Sequence, residues 1–446
     1  MRLKSKGFII FSAIVAIVIS SVLATSCGEK RTARTNASAP AEPPVARTLP
    51  PLPARPLSEK LKALRAGAMR QASELRELSW QSEVGMAELS GWEYGSRTSE
   101  MAQSLGGEEL RGLSRLAIAG GVLPEGTDLL SLAASFTAVS AGATYSPLDK
   151  QILLVDQHSG SSLLTHEFVH ALQDQHFDLL KLLVVRPYNY DRTEAVFALI
   201  EGDAMNVQRR AEEGDAYARR TLEDISRQEN DRFRDYRSEF GALFPPLLTE
   251  TFIFRYRDGA RFVETIRRKQ GERGVDELFR HPPASSEQIL HPEKYLQSEA
   301  PRDVQLNESA FAQQNWRVVT STALGEIGVR GLLMAGITEP DASRAAAGWG
   351  GDRAYLFERD GGAPLFVWKS VWDKSTDAEE FFKAYNAAEQ RRKGAQLTGE
   401  STSGNETQKT WREGGQSTLV YLTGDTVIVI RGAEADVNTS LGAARR

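Results

Sequence analysis

Leu164-Thr165-His166-Glu167-Phe168-Val169-His170-Ala171-Leu172-Gln173-Asp174-Gln175 lies within a strongly helical stretch expected from Ser161 to about Leu183. On a helix, residues four apart stand one above the other on the same face, so His166 and His170 can direct two imidazoles at one metal ion. Zinc favours nitrogen ligands in a tetrahedral shell, and a catalytic site takes three protein ligands plus water. Glu167, next to the first histidine, can reach that water and accept its proton as it attacks a carbonyl carbon. Leu163, Leu164, Phe168, Val169, Ala171 and Leu172 supply the apolar packing that a buried site helix needs. With six histidines in the chain, a His-Glu-x-x-His pattern arises by chance only about once in a hundred or more such sequences.

Working outward, the 446 residues are enough for two ordinary domains once the ends are set aside. A formal net charge of -5, with both signs nearly balanced, gives no electrostatic reason to expect nucleic acid as a partner. Residues 1–26 read as a signal peptide: Arg2, Lys4 and Lys6, then an almost wholly apolar run from Phe8 to Leu23. That run borders on the length of a membrane-spanning helix, and an uncleaved anchor is the competing reading. The chain's one cysteine decides between them. Leu23-Ala24-Thr25-Ser26-Cys27 is similar to a bacterial lipobox, with Leu23 one place early, which makes Cys27 the expected lipidation site. The protein is therefore expected outside the cytoplasm, lipid-anchored to a bacterial membrane. Without a second cysteine it forms no intramolecular disulfide and must rely on a sizeable core. Residues 27–57, rich in Pro and Ala, read as a tether.

Fold class is expected to be α+β. Residues 58–300 form a mostly helical catalytic domain with a small sheet, and residues 301–446 a smaller α+β domain. Helical spacing begins at Ser58 with Leu61, Leu64, Ala68, Leu75 and Leu78, and returns around Ser99–Ala119, Arg192–Gln228 and Leu247–Gln270. Gln151–Val155 is a short strand just before the site helix. His281-Pro282-Pro283 opens a loop that runs to Tyr295. Beyond residue 300 we expect a helix near Thr322–Ala335, a tight turn at Gly348–Arg353, and a strand at Leu365–Val371. A capped helix then runs from Thr376 to about Arg391, followed by a hairpin of Ser417–Leu422 and Thr426–Arg431.

Tyr145 to Val155, together with the quoted helix, resembles the zincin metallopeptidases over roughly residues 140 to 210. The resemblance implies a zinc cofactor and a peptide or protein substrate that adds as a strand to the edge of a sheet above the site helix. It also implies a third ligand. Glu201, in Ala198-Leu199-Ile200-Glu201-Gly202-Asp203-Ala204, matches the glutamate that gluzincins carry on a downstream helix. The near-copy Glu213-Gly214-Asp215-Ala216 lies among arginines and reads as a solvated face. His176 stands at the metzincin spacing, but Gln173 occupies the position of that family's glycine. Gln173 favours continued helix, which turns His176 away.

Asp174, one turn past His170, is a candidate acceptor behind a ligand imidazole, and Asp203 another, since Met205 stands where thermolysin-like enzymes have an acid. His291 and Tyr295 are candidate donors to the oxyanion, with Tyr145 a further one. His158 and His281 suggest no partner. The expected activity is zinc-dependent peptide-bond hydrolysis with Glu167 as general base. The rival is a surface lipoprotein that keeps the scaffold only to bind a partner. A metal carrier would show more His or Cys.

Overall fold

A computed structural model describes residues 50–53, 55–132, 142–155, 160–184 and 187–446. Cys27, the expected signal peptide, most of the expected tether and His158 lie outside the described residues. Among those described, no helix is long and apolar enough to cross a membrane.

The architecture is α+β, a helical unit with a three-stranded sheet followed by a seven-stranded antiparallel sheet. The principal helices of the first part are α1 (Glu59–Arg76), α2 (Gly91–Ala119), α3 (Ser161–Phe177), α4 (Tyr190–Glu213), α5 (Leu222–Phe240), α6 (Pro246–Ile253) and α7 (Gly259–Arg280). A π-helical turn, Phe254–Asp258, joins α6 to α7. The small sheet comprises β1 (Gly85–Leu89), β2 (Ala143–Ser146) and β3 (Gln151–Val155), in the order β1-β3-β2. Gln151–Val155, the strand expected just before the site helix, is the middle strand, and the edge nearest that helix belongs to Ala143–Ser146.

Local chemistry explains where the helices stop. The expected helix from Arg192 to Gln228 is broken at Gly214, whose φ of 52° is open to glycine at little cost. The site helix stays regular through Gln173, as its side chain favours, and ends at Asp178, which enters the left-handed region at φ 57° and caps Lys181 N with its carboxylate. Every residue of α3 from Leu163 to Asp174 is buried. A helix buried all round must give each polar side chain a partner, and α3 carries five such side chains between His166 and Asp174.

The C-terminal sheet runs β4 (Arg317–Thr322), β5 (Trp349–Glu358), β6 (Leu365–Trp372), β10 (Thr426–Gly432), β9 (Gln416–Thr423), β8 (Glu406–Glu413) and β7 (Gln396–Ser403). The expected hairpin is β9–β10. The expected turn at Gly348–Arg353 is mostly strand: only Gly348, at φ 81°, turns, and Trp349 onward pairs with β6. The Asp352 carboxylate sits there as a buried pin, accepting from Trp349 Nε1, Trp368 Nε1 and the amides of Leu324 and Gly325. Hydrophobic packing crosses residue 300. The first half of α2 buries Tyr94 and Met101 with Leu153 and Leu199, while its second half buries Leu113 and Leu116 with Trp368 and Phe366.

Candidate metal centre

His166 and His170 project from α3 and Glu201 from α4, and the structure brings all three together. Glu201 Oε2 lies 3.3 Å from His166 Nε2 and 3.5 Å from His170 Nε2. None of the three is more than 1% exposed. Ligand bonds of about 2.0–2.1 Å in a tetrahedron set neighbouring ligand atoms about 3.3–3.4 Å apart, so the spacing suits zinc. His170 Nε2, buried, has no hydrogen-bond partner within the protein.

The close crossing of α4 and α7 positions Glu201. A Cβ on Gly202 would meet the Gly259 carbonyl carbon at 2.3 Å, and one on Gly259 would meet Ala198 O at 2.1 Å. Only glycine at both positions lets the two backbones touch. The same crossing brings in Tyr256 from the π turn. Its ring stacks on His166 with centroids 6.5 Å apart, and its hydroxyl hydrogen-bonds to the Glu201 carboxylate. Nothing in the sequence pointed to Tyr256: the run Thr251–Tyr256 reads as ordinary apolar helix, and π turns, frequent at functional sites, carry no spacing signal.

Each ligand imidazole is held from behind by a glutamine. Gln173 Nε2 donates to Asp203 Oδ2 (2.9 Å) and Ile200 O (3.0 Å), so its Oε1 is left to accept from His170 Nδ1–H at 2.9 Å. Gln208 Nε2 donates to Glu212 Oε1, and its Oε1 accepts from His166 Nδ1–H at 3.0 Å. With both Nδ1 atoms protonated, both Nε2 lone pairs face Glu201. Burial pushes the His166 pKa down, favouring the neutral ring that a metal needs. Burial alone would push the Glu201 carboxyl up, but its close contact with the two imidazoles outweighs this and lowers it to about 2.

Glu167 turns to the sheet edge. Its Oε2 accepts from Tyr145 N at 2.7 Å, while Oε1, buried, has no partner. Burial, reinforced by the Glu201 charge, raises its pKa well above the ordinary carboxylate value. The buried Tyr94 hydroxyl lies near this carboxylate and beside Thr144, and burial together with the Glu167 charge raises its pKa.

The remaining candidates fall elsewhere. Asp174 does not touch an imidazole: it accepts from the Tyr145 hydroxyl (2.7 Å), Lys150 Nζ (2.7 Å) and Leu179 N, tying β2 to α3. Gln173 takes the place expected of it, because position 173, not 174, follows His170 by three residues on the face toward α4. Asp203 acts one step further back, through Gln173. His291 Nε2 pairs with Glu326 of a helix at Gly325–Leu333, and Tyr295 donates to His281 O and packs on Phe262. That helix meets the start of α4, where Asp191 faces Gly325. The side chains of His291 and Tyr295 are thus engaged by partners outside the His166–His170–Glu201 cluster. His176 bonds to Ser79 O and Gln81, away from the cluster. Glu213 pairs with Arg220 and Arg232.

Residues 314–441 match a family described as a domain of unknown function (DUF8575). No curated protein and no solved structure matches the chain. The matched stretch contains the seven-stranded sheet and none of the residues of the metal centre.

Proposed function

We propose that the chain is a zinc-dependent hydrolase of peptide bonds, held outside the cytoplasm by a lipid on Cys27, with peptide or protein as its substrate. The observation that carries this reading is the triad of His166 Nε2, His170 Nε2 and Glu201 Oε2 beside a glutamate with one free oxygen. A structural zinc site closes its shell with four protein ligands, whereas three ligands beside a free carboxylate is the arrangement of a catalytic one.

Zinc bound by His166, His170 and Glu201 would supply the Lewis acidity that makes water nucleophilic near neutral pH. The protein's own groups do the rest. Glu167 Oε1 takes the proton from the attacking water and delivers it to the leaving amine, while the Tyr145 amide holds Oε2 in place. The Tyr256 hydroxyl, whose proton goes to Glu201 in the metal-free chain, would turn from that carboxylate once it ligates zinc and donate to the carbonyl oxygen as negative charge builds on it. Because Gly142 O accepts from Val155 N, the two-residue period of β2 points the amides and carbonyls of Ala143 and Tyr145 away from β3. A substrate in extended form can pair with that edge.

Zinc stoichiometry by elemental analysis tests the centre. About one zinc per chain in the wild type, lost in Glu201→Ala and kept in His176→Ala, supports it. Zinc in none of the three refutes it. Zinc without cleavage of casein or a peptide library would favour the partner-binding scaffold.

A further inference from the structure

The metal centre is joined to the N-terminal helix by one buried cation. Arg76, the last residue of α1, is fully buried and reaches three carboxylates: Asp203 through Nε (2.9 Å), Glu272 through Nη1 (3.4 Å) and Asp276 through Nη2 (2.8 Å). Asp203 Oδ2, the atom that receives Arg76, also receives Gln173 Nε2, and Gln173 Oε1 orients His170. Four residues thus run in unbroken hydrogen-bond contact from α1 to a metal ligand.

The rest of α1 is held mostly by partly covered side chains. Its only fully buried ones besides Arg76 are Ala68 and Ala72, while Leu61, Leu64, Met69 and Leu75 pack half-covered against the core. Little of the apolar surface of this eighteen-residue helix is removed from water completely. Arg76 matters correspondingly more. Were α1 to leave, Asp203 and Asp276 would lose their cation, and only Arg210 would remain on Glu272. A buried carboxylate without its partner is costly, so Asp203 would turn away and release Gln173. An element with few buried apolar contacts is the kind that opens locally before the whole protein unfolds.

We propose that docking of α1 and binding of zinc are reciprocally coupled through Arg76, Asp203, Gln173 and His170, with Arg76 and Gln173 as positioning residues. This rests on the metal reading of the triad. Linkage requires both directions: zinc holds α1 down, and a docked α1 tightens zinc. The helix next to the expected tether therefore decides whether the centre is loaded.

Hydrogen exchange on the full chain, with and without zinc, and zinc affinity by competition with a chromophoric chelator provide the test. Zinc should slow exchange of the α1 amides about tenfold or more. Arg76→Leu should weaken zinc about tenfold, and Gln173→Leu 10- to 100-fold. Asp276→Asn, which weakens one of the two ties of Arg76 to α7 without touching Asp203, should change zinc affinity less than twofold even if it lowers the melting temperature. In zinc-saturated Gln173→Leu the extra protection of α1 should vanish, a readout available even if Arg76→Leu does not fold. Equal α1 exchange in the two wild-type states, or wild-type zinc affinity in folded Arg76→Leu, would overturn the coupling and leave the metal centre standing. A wild type that takes no zinc would overturn both.

Discussion

Replacing Gly202 by alanine adds one methyl group at the point where α4 lies against α7. The new Cβ would stand 2.3 Å from the Gly259 carbonyl carbon, 2.4 Å from its oxygen and 2.8 Å from Ala260 N. Ordinary contact begins at 3.4 Å, so the helices must separate by about 1 Å, because backbone cannot swing aside as a long side chain would. Overpacking of this kind costs about 1–3 kcal/mol, and the backbone obstruction places Gly202→Ala toward the upper end. The larger effect falls on the ligand next door. Metal–ligand distances tolerate about 0.2 Å, and a shift of α4 moves Glu201 by several times that. Zinc affinity should fall about 10- to 100-fold, read by chelator competition alongside thermal melts of the metal-free protein. Gly271→Ala is the control: it lies on the same helix α7 at φ 70° with nothing within 4 Å. A side chain at φ 70°, ψ -170°, a region essentially restricted to glycine, should cost it about 1–3 kcal/mol with zinc affinity unchanged. Wild-type affinity in Gly202→Ala, or an equal loss in Gly271→Ala, would refute the view that this crossing sets the position of Glu201.

Glu167→Gln keeps an acceptor for the Tyr145 amide but cannot take a proton, so it should retain one zinc and lose hydrolysis by at least about 10²–10⁴-fold; unchanged turnover would exclude Glu167 as the base. Tyr256→Phe should keep zinc and lower kcat about 10²–10³-fold with little change in KM, and a loss confined to KM would place the hydroxyl in substrate binding instead. Burial, opposed by hydrogen bonds from Ser286 and reinforced by Asp352 and Glu287, pushes Asp191 from 3.8 up to about 7. The folded chain therefore keeps a proton there that the unfolded chain has released, and this contribution to stability is lost as pH rises from about 4 to about 7. Asp191→Asn does not titrate, so its stability relative to wild type, from urea melts, should improve by about 2–3 kcal/mol between pH 5 and pH 8. An equal difference at the two pH values would show that Asp191 ionises normally.

The local pattern was enough for the α+β class, the site helix, the strand at Gln151–Val155, the hairpin Gln416–Gly432 and the pairing of His166 with His170, because each depends on a period of two, of 3.6 or of four residues along one element. β7 and β8 were not legible, since Gln396–Glu413 is polar on both faces and shows no alternation. Their pairing comes from neighbours in the sheet. Glu201 could be chosen over Glu213 because an apolar stretch precedes it, a difference that burial bears out.

Everything that depends on which elements touch was decided by tertiary structure. Gln173 and not Asp174 supports His170, because the face of α3 that meets α4 carries Gln173, bonded to Ile200 O and Asp203, while Asp174 is taken up by Tyr145 and Lys150. Tyr256 enters the cluster from more than fifty residues downstream through a π turn, while His291 and Tyr295, plausible by residue type, are engaged by Glu326 and by His281 O. Residue order alone placed two imidazoles on one face of a helix, since side chains a turn apart need no partner to share it. The place of Glu201 beside them, the glutamines behind the imidazoles and the approach of Tyr256 had to await the fold, because a contact between distant segments depends on how closely two backbones approach.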